Sequence, residues 1–291
     1  MAATHPSDAP VWLITGSSSG IGRGLVEVLG DEGRNVVATA REVSAIEPLA
    51  VGRMDHVRVH ALDLLDQQSI TETVSAALEW FGRIDVLVSA AGTGLIGSVE
   101  ESSTDEVRRL FETNVFGTHR VLSAVIAVMR EQKSGHVAAI TSHGAFHGQP
   151  GCAPYCGSKA ALNAILEGLY AEVAPLGIGV TIIEPGLVRS DFRARAIVRS
   201  PVQIADYEPT CGPLRRAVEA PIPVQALDPR AVASAIVAAL SSPRPPLHLP
   251  IGADALQTIR SKLSETADEL DRWQELSLLP TAEKPPPAGG T

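Results

Sequence analysis

The sequence predicts an α/β fold: a single doubly wound domain on a mostly parallel, seven-stranded sheet. Three observations lead there. Along the 291 residues, short apolar runs rich in β-branched residues alternate with amphipathic helical patterns, the order that builds right-handed β-α-β crossovers. Most of the runs are continuously apolar rather than alternating, as strands covered on both faces are. A glycine-rich turn, "TGSSSGIG" (Thr15–Gly22), joins the first run to the first helical pattern.

Taken in order, the strands are expected at Val11–Thr15, Asn35–Ala40, Val57–Leu62, Ile84–Ala90, His136–Thr141, Val180–Pro185 and Leu247–Pro250. After Asp66, apolar residues at Ile70, Val74, Ala77, Leu78 and Phe81 form a helical stripe. Thr104 reads as the N-cap of the next helix, with Asp105 and Glu106 in its first turn. The helix after Ser158 stops at Pro175 and Gly177, and another spans roughly 228–240. Residues 189–228 hold five prolines and little periodicity. A long irregular insertion of that kind reads as a substrate lid. The expected organisation is one catalytic domain over 1–280 and a disordered, Pro/Gly-rich tail at 281–291.

Composition narrows the function. Net charge is −9, from 24 Lys plus Arg against 33 Asp plus Glu, with no basic block. That argues against binding nucleic acid or an anionic membrane surface. Three cysteines, none in zinc-finger spacing, fit a reducing cytoplasm and no metal site; Cys152 and Cys156, which flank Tyr155, read as small packing residues. The first ten residues lack the positive and apolar regions of a signal peptide. No run approaches the length of a membrane span.

The glycine turn carries the first chemistry. Gly16, Gly20 and Gly22 allow a tight turn, close approach of backbone to a pyrophosphate and close helix–strand packing. A helix N-terminus then faces the phosphates with free N–H groups. The cofactor set in this loop is Gly16, Ser17, Ser19, Gly20, Ile21 and Gly22. No Gly-Lys-Ser/Thr follows, so the turn is not a Walker loop. An NAD-preferring site wants a carboxylate at the end of the second strand for the ribose 2′-hydroxyl. This chain places Ala40 and Arg41 there. A guanidinium suits a 2′-phosphate, so NADP(H) is the expected cofactor.

With these motifs in order from about 11 to 279, the chain resembles the standard-length short-chain dehydrogenase/reductases (a Rossmann-type fold), in particular an NADP-preferring branch. The resemblance implies that Asp63 contacts the adenine edge, with Leu64 beside it. It makes Asn114 in "FETNVFG" the family's helix asparagine. It places Ser142 at the family's spacing, thirteen residues before Tyr155, with Lys159 four residues further on. Pro185, Gly186, Val188 and Ser190 match the segment that meets the nicotinamide carboxamide. One departure is plain: where the family's fourth strand usually ends Asn-Asn-Ala-Gly, this chain reads Ser89-Ala90-Ala91-Gly92. Ala91 and Gly92 keep the close approach to the cofactor, while the asparagine hydrogen bonds are lost or replaced.

The implied roles follow from chemistry. A free phenol has a pKa of about 10. Lys159, one turn from Tyr155, favours the phenolate, so Tyr155 can exchange a proton with a carbonyl or alcohol oxygen. Ser142 would hold that oxygen, Lys159 the nicotinamide ribose, and Asn114 a water leading from Lys159 to solvent. His143 and His147 read as loop or pocket-lining residues. The lid offers Ile197, Val198, Val202, Ile204, Leu214 and Val218, which suits a fairly apolar ketone or secondary alcohol. Its arginines Arg193, Arg195, Arg199, Arg215 and Arg216 leave an anionic substrate open. An epimerase or dehydratase on the same fold, and a non-enzymatic NADP sensor, are the competing readings. Apolar faces on the helices holding Asn114 and Lys159 suit a homodimer or homotetramer.

Overall fold

The computed structural model describes residues 9–279; the tail expected at 281–291 lies outside them. Nine strands are present: β1 (Val11–Thr15), β2 (Asn35–Ala40), β3 (Val57–Ala61), β4 (Val86–Ser89), β5 (Gly94–Ile96), β6 (Gly135–Ile140), β7 (Ile178–Pro185), β8 (Ile197–Arg199) and β9 (His248–Ile251). Seven form one sheet in the order β3-β2-β1-β4-β6-β7-β9. Every pairing in it is parallel. Each expected strand lies within two residues of its observed bounds. The pair β5 and β8, parallel and three residues each, was not anticipated.

Alternate strand residues face opposite layers. Leu13, Val37, Leu87, Val137 and Ile182 pack on one side with Ile70, Val125 and Leu166 from helices. Trp12, Ile14, Val36, Val88 and Ile183 pack on the other with Leu25, Leu29, Val232 and Ile236. Strands that must fill two apolar layers leave no polar face, hence their unbroken apolar runs. Strand order reverses between β1 and β4, and loops leaving there in opposite directions open a crevice at the carboxyl ends of the strands.

Two local expectations change. The helix Thr104–Phe111 is capped by Ser103, not Thr104: Ser103 and Glu106 form a reciprocal capping box. The pattern that read as one continuous helix is then interrupted by a π-helical turn, Glu112–Gly117, before helix Thr118–Gln132. The segment expected to form a lid also contains order the sequence hid. Its helix Glu208–Glu219 buries only Cys211, Gly212 and Val218 and carries Pro213 internally, too little apolar surface to leave a periodic stripe.

Candidate functional site

The three loop glycines are required for different reasons. Gly16 holds φ at 71° with its α-carbon against the backbone of Ala91, so a Cβ there would lie 2.7 Å from the Ala91 α-carbon. Gly20 holds φ at 55° and faces the Ser190 side chain. A Cβ on Gly22 would collide with the Gly16 carbonyl. Helix Gly20–Asp31 starts after Ser19, whose side chain makes no capping hydrogen bond. The first N–H groups of that helix therefore have no side-chain partner, the usual state of an anion-binding helix end. Ile21 is half-buried against the core. Ser17 is a correction. It is fully buried, its N–H donates to the Thr39 carbonyl at 2.9 Å, and its hydroxyl donates to the Ile14 carbonyl and accepts from Thr39. Its N–H bonds β2 and its hydroxyl bridges β1 and β2, so neither donor is left for a ligand's phosphates.

At the end of β2, Arg41 is exposed and forms no ion pair among the described residues. The N–H of Leu62 donates to the Ala40 carbonyl, which sets Asp63 beside the β2 terminus. Asp63 accepts from the N–H of Leu65 at 3.0 Å. The Leu64 side chain belongs to the core and packs against Gly117, so only its backbone is placed near this edge. Past the end of β4, the Thr15 hydroxyl accepts the N–H groups of Ala90 and Ala91 at 3.1 and 3.2 Å.

Across the crevice, Ser142 ends β6 and Tyr155 and Lys159 sit on the helix Ala153–Val173. Ser142 accepts the Gly144 N–H at 3.0 Å, capping a short turn, and hydrogen-bonds the Tyr155 phenol. Burial pushes the phenol up to about 12, and the Ser142 hydrogen bond pulls the other way. The Lys159 ammonium donates to the Ile140 carbonyl at 3.0 Å and lies 6.0 Å from the Tyr155 ring centroid. Burial draws it down to about 8. A Cβ on Gly92 would come within 3.3 Å of the Asn114 side-chain oxygen and 3.5 Å of Lys159 Nζ, so this backbone lies directly against both side chains. The π turn carries Asn114, a kind of irregularity frequent at functional sites. Both Asn114 side-chain N–H groups are spent, on the Thr93 carbonyl and the Ser158 hydroxyl, and its oxygen accepts from Thr93. The Asn114 side chain is thus a strut between the β4 loop and the helix of Tyr155.

After β7, Pro185, Gly186 and Leu187 turn over Asp254, a residue the sequence reading missed. Asp254 Oδ2 accepts the Leu187 N–H at 2.9 Å, and a Cβ on Gly186 would collide with the same carboxylate. Its signal was faint: an acid in the first turn of helix Ala253–Arg272, just past β9. Val188 bridges to Leu227, and Ser190 accepts the Phe192 N–H at 3.3 Å. His143 Nδ1–H donates to the Pro185 carbonyl, and His147 lines a surface groove with Gln257 and Lys262. Neither joins the serine–tyrosine–lysine set.

The lid meets Tyr155 with apolar groups. Tyr155, Ile197 and Leu214 pack on a cluster of Ile96, Cys152, Cys156 and Val218, and the Cys152 and Cys156 sulfurs are 3.8 Å apart. Val198 and Val202 are about half exposed. Four of the five lid arginines are engaged within the chain: Arg215 with Glu101, Arg216 with Glu208, Arg195 with Asp191, and Arg193 with the Ala217 carbonyl. Among the described residues no helix is long and apolar enough to cross a membrane, and no group of His, Cys, Asp and Glu is placed to hold a metal.

The family model described as short chain dehydrogenase matches residues 10–198. Oxidoreductase BOA17 of Botryotinia fuckeliana is 33% identical over 92% of this chain and 98% of its own length. The structure of a short-chain dehydrogenase from Streptomyces avermitilis superposes with a TM-score of 0.87 at 37% identity, covering 94% of this chain and 98% of that one. An alcohol dehydrogenase from Thermococcus sibiricus, solved with 5-hydroxy-NADP, gives a TM-score of 0.67 at 26% identity over 83% of this chain and 94% of its own.

Proposed function

Because this chain belongs to the short-chain dehydrogenase/reductase family of oxidoreductases, we propose that it is an NADP(H)-dependent enzyme. It moves a hydride between the nicotinamide and a fairly apolar ketone or secondary alcohol, with Tyr155 as general acid/base. The observation that carries this reading is the set Ser142–Tyr155–Lys159 facing a glycine cradle that side chains would fill.

The residues fit the cofactor. The N–H groups at the start of helix Gly20–Asp31 would hold the pyrophosphate, Asp63 the adenine edge and Lys159 the nicotinamide ribose. Arg41, exposed at the end of β2, would pair with a 2′-phosphate. Ala91 and Gly92 would give the close approach, and Val188 would meet the carboxamide. What a bound nicotinamide supplies is the hydride.

The protein's part is orientation and proton transfer. The phenol stays protonated through neutral pH, since burial lifts it to about 12. It is therefore set to donate to a carbonyl oxygen that Ser142 also holds. Lys159, near 8 and mostly charged at pH 7, stabilises the phenolate left behind. Lys159 Nζ spends one N–H on Ile140 and retains others for ribose hydroxyls. The lid's contribution around Tyr155 is Ile197, Leu214 and Val218, with four of its arginines already engaged, which favours an apolar substrate over an anionic one.

A spectrophotometric screen of NADPH and NADH against varied ketones tests the proposal. NADPH oxidation with an apolar ketone is expected, and Tyr155→Phe should lower turnover by about a thousandfold while NADPH still binds. Equal use of NADH would remove the role of Arg41. Turnover of Tyr155→Phe within tenfold of wild type would remove that of Tyr155.

A further inference from the structure

The last long helix leaves the body of the protein. Ala255 and Ile259 bury its first turns, yet every residue from Leu263 to Leu279 is exposed. This bare helix still carries leucines seven residues apart, Leu256, Leu263 and Leu270, exposed by 40%, 56% and 66%, and then Trp273 at 52%. A seven-residue apolar repeat on a helix with nothing against it is the pattern of a helix–helix seam. The polar residue within that seam, Thr266, donates its hydroxyl to the Lys262 carbonyl at 2.8 Å, so covering it strands no donor.

The charges beside the seam say what covers it. At about 100° per residue, Lys262 and Glu269 lie on one flank of the leucine line and Arg260 and Asp271 on the other. None of the four makes an ion pair among the described residues. Both flanks therefore run from basic to acidic along the helix. If two copies pair antiparallel about a two-fold axis near Thr266, Lys262 meets the second copy's Glu269, Arg260 meets its Asp271, and Leu263 meets its Leu270. Parallel pairing would instead set Lys262 beside Arg260 and Glu269 beside Asp271, like against like. The pattern is self-complementary in one orientation only, as an isologous contact requires.

We propose that the exposed helix around Leu263 and Leu270 is an antiparallel docking surface for a second copy of this chain. The surface is separate from the apolar faces of the helices carrying Asn114 and Lys159, and the proposal does not depend on the cofactor or the substrate.

The test is sedimentation velocity on the full chain at micromolar concentration. Wild type should be a dimer or a larger even assembly. Leu270→Glu should weaken the contact by about a hundredfold, turning a dimer into monomers or a tetramer into dimers. Lys262→Glu should weaken it by about tenfold, and combining it with Glu269→Lys should restore it to within about threefold, because the reversed pair is again opposite in sign. Far-UV circular dichroism checks that the variants fold, which the exposed positions of Glu269 and Leu270 and the half-buried one of Lys262 allow. A monomeric wild type overturns the proposal. So does an assembly indifferent to Leu270→Glu, which would be using another face. A monomer that binds anionic lipid vesicles through these leucines would also overturn it, making the helix a membrane-facing element.

Discussion

On the nucleotide side of the crevice, Gly16 rests its α-carbon on Ala91, and Thr15 takes the N–H groups of Ala90 and Ala91. On the lid side, Glu101 is buried and takes the N–H groups of Ser98 and Ile204 and both contacts from Arg215, a residue 114 positions later. One wall is built from main chain at closest approach, the other is latched by charged side chains. Burial alone would raise the Glu101 carboxyl, but the Ile204 and Ser98 N–H groups and Arg215 outweigh it and hold it at about 2. A wall of backbone is fixed in shape and suits a ligand whose phosphates never vary. A wall latched by side chains can be re-cut by substitution, which suits the half of the site that decides the substrate.

The sharpest way to break the comparison is Gly16→Ala. The added methyl meets the Ala91 backbone at a positive φ, at a cost of about 3 kcal/mol in strain and crowding. NADPH affinity, read by fluorescence, should fall by about a hundredfold, and unchanged affinity would mean the wall is not set by backbone contact. Next in size is Arg215→Met, which leaves Glu101 buried without its cation. Urea denaturation should show a loss of about 3 kcal/mol, with substrate KM raised and NADPH affinity kept. A loss below about 1 kcal/mol would show that the latch is ornamental.

Asp254 joins the two walls, since its carboxylate supports the turn after β7 from which the lid departs. Asp254→Ala should raise the KM for NADPH by about tenfold, a lost charge-assisted hydrogen bond to the Leu187 N–H. Asp254→Asn, which retains an acceptor, should recover most of it; equal defects in both variants would point to charge rather than acceptance.

A further effect is in pH. Lys159 sits near 8 because burial disfavours its charge, against an ordinary 10.5. Carbonyl reduction should decline as pH rises past about 8, where the ammonium is lost while Tyr155 keeps its proton. Stability should move the opposite way. Between about 8 and 10.5 the unfolded chain binds this proton more strongly than the folded one, so Lys159 adds stability as pH rises through that window. The difference in melting temperature between wild type and Lys159→Met, followed across the window, isolates this contribution. A flat difference would mean Lys159 is not desolvated.

Legibility in the sequence divided along the same line. The five inner sheet strands were readable because each fills two apolar layers, and the glycine loop because only glycine fits at Gly16 and Gly20. Tyr155 and Lys159 were readable as a pair because one turn of helix sets their spacing, and Ser142 through the resemblance to the family, whose spacing it matches. The pair β5 and β8 was hidden because three-residue strands carry no period. The helix Glu208–Glu219 was hidden because it buries three small or medium side chains and contains Pro213.

By itself, then, the sequence determined what local geometry determines: the strands, the cradle, the spacing of phenol and ammonium, and Ala40 and Arg41 at the end of the second strand. Only the tertiary structure decided how polar groups are shared across distance. It gave the polar groups of Ser17 to β1 and β2, spent the amide of Asn114 on Thr93 and Ser158, set Asp254 under the Leu187 N–H, and paired Glu101 with Arg215. Hydrogen bonds and ion pairs between residues tens of positions apart leave no period or motif in the chain, because their partners become neighbours only when the sheet brings its strand ends together.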